Sequence, residues 1–147
     1  MFTFVSMEEE LMLDHQVCFP IYALYREIVQ QYRPLLDKLD LTYPQYLVLL
    51  VMWEHPLQTV NQIGQRLRLD SGTLTPLLKR MEQKGLIARK RSQQDERTVE
   101  ISLTDAGQQL SASAKCIPGQ MLTEMGITLE ELMQLKTIAS KILNRNH

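Results

Sequence analysis

Two sets of residues in this sequence could do chemistry: its thiols, and a concentrated run of hydroxyls and cations. The thiols are Cys18 and Cys116, which form no CxxC pair, and the three histidines, His15, His55 and His147, are scattered, so neither set has metal-ligand spacing. No metal site and no cofactor are expected. In a reducing cytosol such cysteines are usually inert packing residues and, less often, reactive thiols, and the residues alone leave both readings open. The second set lies in Asp70 to Leu86, DSGTLTPLLKRMEQKGL, where Leu74, Leu77, Leu78 and Met81 recur at helical spacing. The other side of that helix carries Gly72, Pro76, Lys79, Arg80 and Gln83: small residues first, cations later. That suits a helix whose first turn enters a groove, although an ordinary amphipathic helix has the same stripe. Pro76 lacks an N–H, so the regular helix is expected to begin near Thr73 or to have a loosened first turn.

The preceding elements position this helix. Val17, Ile21, Leu24, Ile28, Tyr32, Leu35 and Leu39 follow at steps of three or four, predicting a long amphipathic helix of about 25 residues from Leu13 onward. Pro20 either kinks it or marks its start, with Cys18 or Phe19 just outside the first turn; a cysteine there would lie where the helix dipole favours an anion. Thr42 to Gln45 has the T-x-x-Q form of a capping box before an apolar run, Tyr46 to Trp53, that His55 and Pro56 end. Thr59 to Gln62 repeats the signal, and Val60, Ile63 and Leu67 make a short helix. Asp70, Ser71 and Gly72 then form a tight turn, which makes a helix-turn-helix.

After Gly85 the period changes to two. Val99, Ile101 and Leu103 alternate with polar residues, Leu86 to Arg91 supplies the partner strand, and Ser92 to Arg97 is the tip of a hairpin, or wing. Thr104 and Asp105 open another helix, broken at Pro118 and Gly119, and Thr128 to Glu131 is a T-x-x-E box opening a last helix to about Leu143. The terminal helices have no place in a winged-helix core and read as a dimer interface. Residues 1–12 are expected to be a loose arm or an extra helical turn.

With 147 residues and a net charge of −1, one domain is expected and no global charge bias names a partner. Local charge is more telling: from Lys79 to Arg97 seven bases stand against three acids. No apolar run reaches the roughly 18 residues of a membrane span, so the chain reads as cytoplasmic.

The run DSGTLTPLLKRMEQKGLIARKRSQQDERTVEISLTDAG resembles the helix-turn-helix and wing of the MarR family of bacterial regulators. LTYPQYLVLLVMWEH and QVCFPIY resemble its OhrR branch, the organic-hydroperoxide-sensing repressors. The likeness runs from about Leu13 to Leu143. It implies a mainly α fold with a small β-hairpin wing: a winged helix-turn-helix at about 42–103, with dimerisation helices at about 13–40 and 104–145. It implies a homodimer on pseudo-palindromic operator DNA, the recognition helix in the major groove and the wing against the minor groove. Asp70, Ser71, Thr73 and Thr75 would then lie at the reading end with Lys79 and Arg80 farther along, while Arg97 enters the minor groove braced by Asp95. It also makes Cys18 a redox sensor. Tyr32 and Tyr43 of the partner subunit stabilise its thiolate, Tyr22 lines the pocket, an organic hydroperoxide is the signal, and Cys116 or a low-molecular-weight thiol resolves the oxidised sulfur. Control by a bound small ligand, or a thiol peroxidase activity, are the competing readings.

Overall fold

A computed structural model describes residues 7–146. The order is α1 (Met7–Glu10), a 3-10 turn (Leu13–His15), α2 (Cys18–Asp37), α3 (Tyr43–Glu54), β1 (Leu57–Thr59), α4 (Val60–Leu67), α5 (Ser71–Gln83), β2 (Ile87–Arg91), β3 (Val99–Leu103), α6 (Asp105–Ala114), α7 (Ile117–Met125), α8 (Leu129–Leu143) and a closing 3-10 turn (Asn144–Asn146). Of the expected N-terminal arm, Met7–Glu10 is one helical turn and residues 1–6 lie outside the described residues.

Capping decides where most helices begin. Thr42, Thr59 and Thr128 each accept an N–H from the residue three along, and the glutamine or glutamate there accepts the threonine's own N–H, forming three complete capping boxes. The long first helix is shorter than periodicity predicted. It has 20 residues and starts at Cys18, because Gln16 is extended and Pro20 sits in the first turn, where a missing N–H costs nothing. Cys18 is therefore inside the first turn rather than just outside it. The C-terminal break also moves: α6 ends at Ala114, and Pro118 occupies the first turn of α7 instead of ending a helix.

The core gathers on α3 and α5. Val48, Leu49 and Met52 on α3 meet Leu78 and Met81 on α5, Ile63 on α4 and Ile101 on β3, all wholly buried. The hairpin pairs Ile87 with Leu103, Arg89 with Ile101 and Arg91 with Val99. Periodicity missed β1, which joins the other edge of β3 and makes a three-stranded antiparallel sheet in the order β1-β3-β2. Gln58 on that strand is buried and donates to the carbonyls of Val51 and His55, satisfying the end of α3. Gly107 is a steric necessity: a Cβ there would stand 2.2 Å from the carbonyl oxygen of Leu86, and its own carbonyl accepts the Trp53 indole N–H at 3.0 Å.

The core leaves much apolar surface uncovered. Val17, Ile21, Tyr22 and Tyr25 at the start of α2, and Leu129, Met133, Ile138 and Ile142 on α8, are all at least half exposed, and α8 has no buried residue. The chain exposes 11354 Å². A compact monomer of this size exposes about 7,800 Å². No helix among the described residues is long and apolar enough to cross a membrane.

Candidate DNA interface and thiol centre

Helix α5 turns its hydroxyls and cations outward because its leucines turn inward. Leu74, Leu77, Leu78 and Met81 are buried, while Ser71, Thr73, Lys79 and Arg80 are exposed and Thr75 is half-buried. The helix starts two residues before Thr73, with Asp70 as its cap: the Asp70 carboxylate accepts the Thr73 N–H at 2.8 Å, and hydrogen bonds from Thr73 hold its carboxyl below the usual carboxylate range. Pro76 is thus inside the helix, and the carbonyl of Gly72, which would have bonded its N–H, faces an exposed turn. Gly72 is likewise not the turn residue. The chain reverses at Arg68, in the left-handed conformation with φ 55°, and the turn folds back so closely on α4 that a Cβ at Gly64 would lie 2.8 Å from the Leu69 carbonyl oxygen. The Arg68 guanidinium in that turn donates to the Leu143 carbonyl and to Asn144 Oδ1, tying the end of α8 to the turn before α5.

The wing tip is ordered by polar contacts. Asp95 Oδ1 accepts the Arg97 N–H at 3.0 Å, its Oδ2 accepts the Thr98 hydroxyl, and Ser92 and Thr98 close the loop backbone to backbone at 2.8 Å. Asp95 therefore braces the backbone of Arg97 and leaves the guanidinium free of any ion pair among the described residues. The seven bases of Lys79 to Arg97 are used differently. Arg89 pairs with Glu82, Lys84 with Asp40, and Arg91 donates to the Glu96 carbonyl at 3.0 Å, whereas Lys79, Arg80, Lys90 and Arg97 are exposed and carry no ion pair among the described residues. These four cations, flanking a helix start rich in hydroxyls, form a surface suited to a polyanion.

The thiols are both free and exposed. Cys18 is the first residue of α2 and Tyr22 lies one turn along the same face, its ring 5.7 Å beneath the Arg26 guanidinium. Tyr32 is fourteen residues farther along the same helix, about 21 Å at 1.5 Å per residue. Cys18 and Tyr32 of one chain are thus too far apart to bond. Tyr32 instead meets Tyr43, the first residue of α3, with ring centroids 4.7 Å apart. Tyr46 and Trp53 extend the cluster, with Tyr46 5.8 Å from Tyr32. Burial, reinforced by the neighbouring phenols, pushes the Tyr32, Tyr43 and Tyr46 hydroxyls above their ordinary value, so all three are protonated donors at neutral pH. Tyr46 was not singled out from the sequence; its spacing of three from Tyr43 was the available signal. Cys116 caps α7 and its thiol donates to the Ser113 carbonyl at 3.5 Å. A groove of about 650 Å³ runs beside Tyr43, lined by Tyr25, Arg26 and Arg33 among others.

A two-helix reading unit followed by a cationic hairpin defines a winged helix-turn-helix DNA-binding protein. Residues 30–113 match the family described as transcriptional regulator SarA/Rot. The chain is 53% identical to the organic hydroperoxide resistance transcriptional regulator of Bacillus subtilis over 95% of both chains. It resembles the structure of reduced AbfR bound to DNA with a TM-score of 0.80 and 38% identity, covering 97% of this chain and 100% of that one. The disulfide-formed AbfR structure fits less well, with a TM-score of 0.64 at 39% identity over 92% of this chain and 96% of that one. The chain belongs to the MarR/SarA family of winged-helix transcriptional regulators, as a homologue of the organic hydroperoxide resistance regulators.

Proposed function

We propose that this protein is a homodimeric repressor that holds operator DNA while Cys18 is reduced and releases it when an organic hydroperoxide oxidises that thiol. The observation that carries the reading is the placement of Cys18 in the first turn of α2, out of reach of its own Tyr32 and Tyr43 and beside an uncovered apolar face. A second copy covering that face would bring its tyrosine hydroxyls toward the thiolate as donors. The excess exposed area is of the order of 3,500 Å² per chain. An obligate dimer burying about 4,000 Å² in total, about 2,000 Å² from each chain, would cover more than half of it, with α2 and α6 to α8 supplying the interface. Ser71, Thr73, Thr75, Lys79 and Arg80 then face the major groove, Asp70 holds their helix in register, and Arg97 enters the minor groove.

The sensing step balances simply. The Cys18 thiolate attacks the terminal peroxide oxygen, an S–O bond forms as the O–O bond breaks, and the alkoxide leaves and takes a proton to become the alcohol. Sulfur loses two electrons and the peroxide gains them. A second thiol, from Cys116 or from a small molecule in the cytoplasm, displaces water to form a disulfide. Regulatory relatives disfavour the thiol peroxidase alternative. The groove beside Tyr43 favours a second reading, release by a small ligand.

The deciding experiment is operator binding by wild type and Cys18→Ser before and after hydroperoxide. Cys18→Ser should bind like reduced wild type and fail to release, and release by the variant would refute the sensor assignment. A small phenolic ligand that weakens binding by Cys18→Ser would favour the second reading. After peroxide, a Cys18 to Cys116 crosslink on non-reducing mass spectrometry points to Cys116 as the second thiol; a persistent small-thiol adduct points away from it.

A further inference from the structure

We propose that Lys84 is a positioning residue that transmits the state of the thiol centre to the recognition helix. It caps the C-terminal end of α5. Its ammonium donates to the backbone carbonyl of Asp40, in the turn between α2 and α3, and to Gln45 Oε1 at 3.2 Å, with the Asp40 carboxylate 3.5 Å away. The same Gln45 oxygen accepts the Thr42 N–H at 3.1 Å, completing the capping box that opens α3 at Tyr43. Gln45 is buried, with 3% of its surface exposed. Lys84, Asp40 and the Thr42–Gln45 cap therefore share one small hydrogen-bonded unit, and Tyr43 is the first residue of the helix that this cap opens.

Direction separates this contact from the rest of the α3–α5 packing. The leucine and methionine contacts between the two helices are apolar and spread over many atoms, whereas the hydrogen bonds of Lys84 fix one donor on particular acceptors. On its other side, the same end of α5 is fastened to the wing: the Glu82 carboxylate accepts the Arg89 N–H at 3.0 Å and lies 3.5 Å from its guanidinium. So the C-terminal end of α5 is held by polar contacts to the α2–α3 turn and to the wing, while the turn before its reading end is tied separately to the end of α8 through Arg68. A displacement at the Lys84 end is carried along a helix about 20 Å long to the exposed residues of its first turn.

The inference rests on the reading that Tyr43 donates to the partner's Cys18. Oxidation turns the charged acceptor of that bond into a bulkier neutral group, which displaces Tyr43 and, through the Thr42–Gln45 cap, Lys84. The test compares full-length wild type, Lys84→Met, which keeps the apolar stem and loses the donors, and Lys84→Arg, which restores them. Operator affinity is measured by fluorescence anisotropy before and after cumene hydroperoxide, with the oxidised fraction of Cys18 read by intact mass in the same samples. Lys84→Met should oxidise at the wild-type rate and bind operator within about threefold of wild type when reduced. Its ratio of oxidised to reduced dissociation constants should be at least about tenfold smaller than that of wild type, with Lys84→Arg recovering most of it.

A wild-type ratio in Lys84→Met overturns the proposal, even if both of its affinities shift together, because a merely structural contact would move them equally. If Lys84→Met is unfolded at the assay temperature, Gln45→Met removes the acceptor instead, and a wild-type ratio there overturns the proposal too. Wild type that keeps its operator with Cys18 fully oxidised refutes the sensor reading itself, and this inference with it.

Discussion

Tyr32 and Tyr43 reach each other from two different helices, their ring centroids 4.7 Å apart, while the thiol they are proposed to serve begins the helix that carries Tyr32. Phenylalanine at either position keeps the ring packing and removes one donor. Tyr43→Phe should slow sulfenic acid formation at Cys18 about three- to tenfold at neutral pH and move the rate profile toward higher pH. Stopped-flow oxidation with a sulfenic acid trap reads both, and an unmoved profile rules Tyr43 out as the donor.

Lys79 and Arg97 are exposed cations without an ion pair among the described residues, whereas Arg89 is committed to Glu82. Lys79→Ala and Arg97→Ala should each reduce the slope of log affinity against log salt by about one, and Arg89→Gln should change it far less. Anisotropy titrations across a salt series make the measurement. Equal slopes in all three would separate the DNA surface from the one described.

The Asp70 carboxyl is held below its ordinary value by Thr73, so its cap contributes stability above the unfolded value, about 3.9, and loses it as pH falls through the folded value. Wild type should melt a few degrees above Asp70→Ala near pH 6, and the gap should close toward about pH 3. Thermal denaturation across that range tests it; a gap that persists in acid means the charge is not what matters.

At the joint between α3 and α6, the Trp53 indole bonds to Gly107, whose missing side chain admits the Leu86 carbonyl. Gly107→Ala should destabilise the chain by about 1–3 kcal/mol through overpacking. Trp53→Phe should cost about 1 kcal/mol by leaving a carbonyl unpaired. Urea unfolding gives both values.

Most of this architecture is legible in the sequence because its signals are local. Thr42, Thr59 and Thr128 announce their helices through a partner three residues away, and the alternation of Val99, Ile101 and Leu103 announces the wing. What is not legible depends on distant neighbours. Leu57–Thr59 is too short to show a period and becomes a strand only because β3 offers it an edge. Pro76 reads as a helix start, yet the Asp70 cap upstream outweighs one missing hydrogen bond. The site follows the same division. Cys18, Tyr32 and Tyr43 are visible as residue types, but the contact of Lys84 with Gln45 spans 39 positions and has no local signature.

The uncovered apolar stripe along α2 and α8 makes abundance part of this protein's physics. A solitary chain displays the kind of surface by which chaperones and proteases recognise unfinished proteins. Pairing of two copies across that face, as proposed, would withdraw it, and the fraction of chains so sheltered would rise with their concentration. The level of the regulator would then follow a threshold in its own concentration as well as the rate at which it is made.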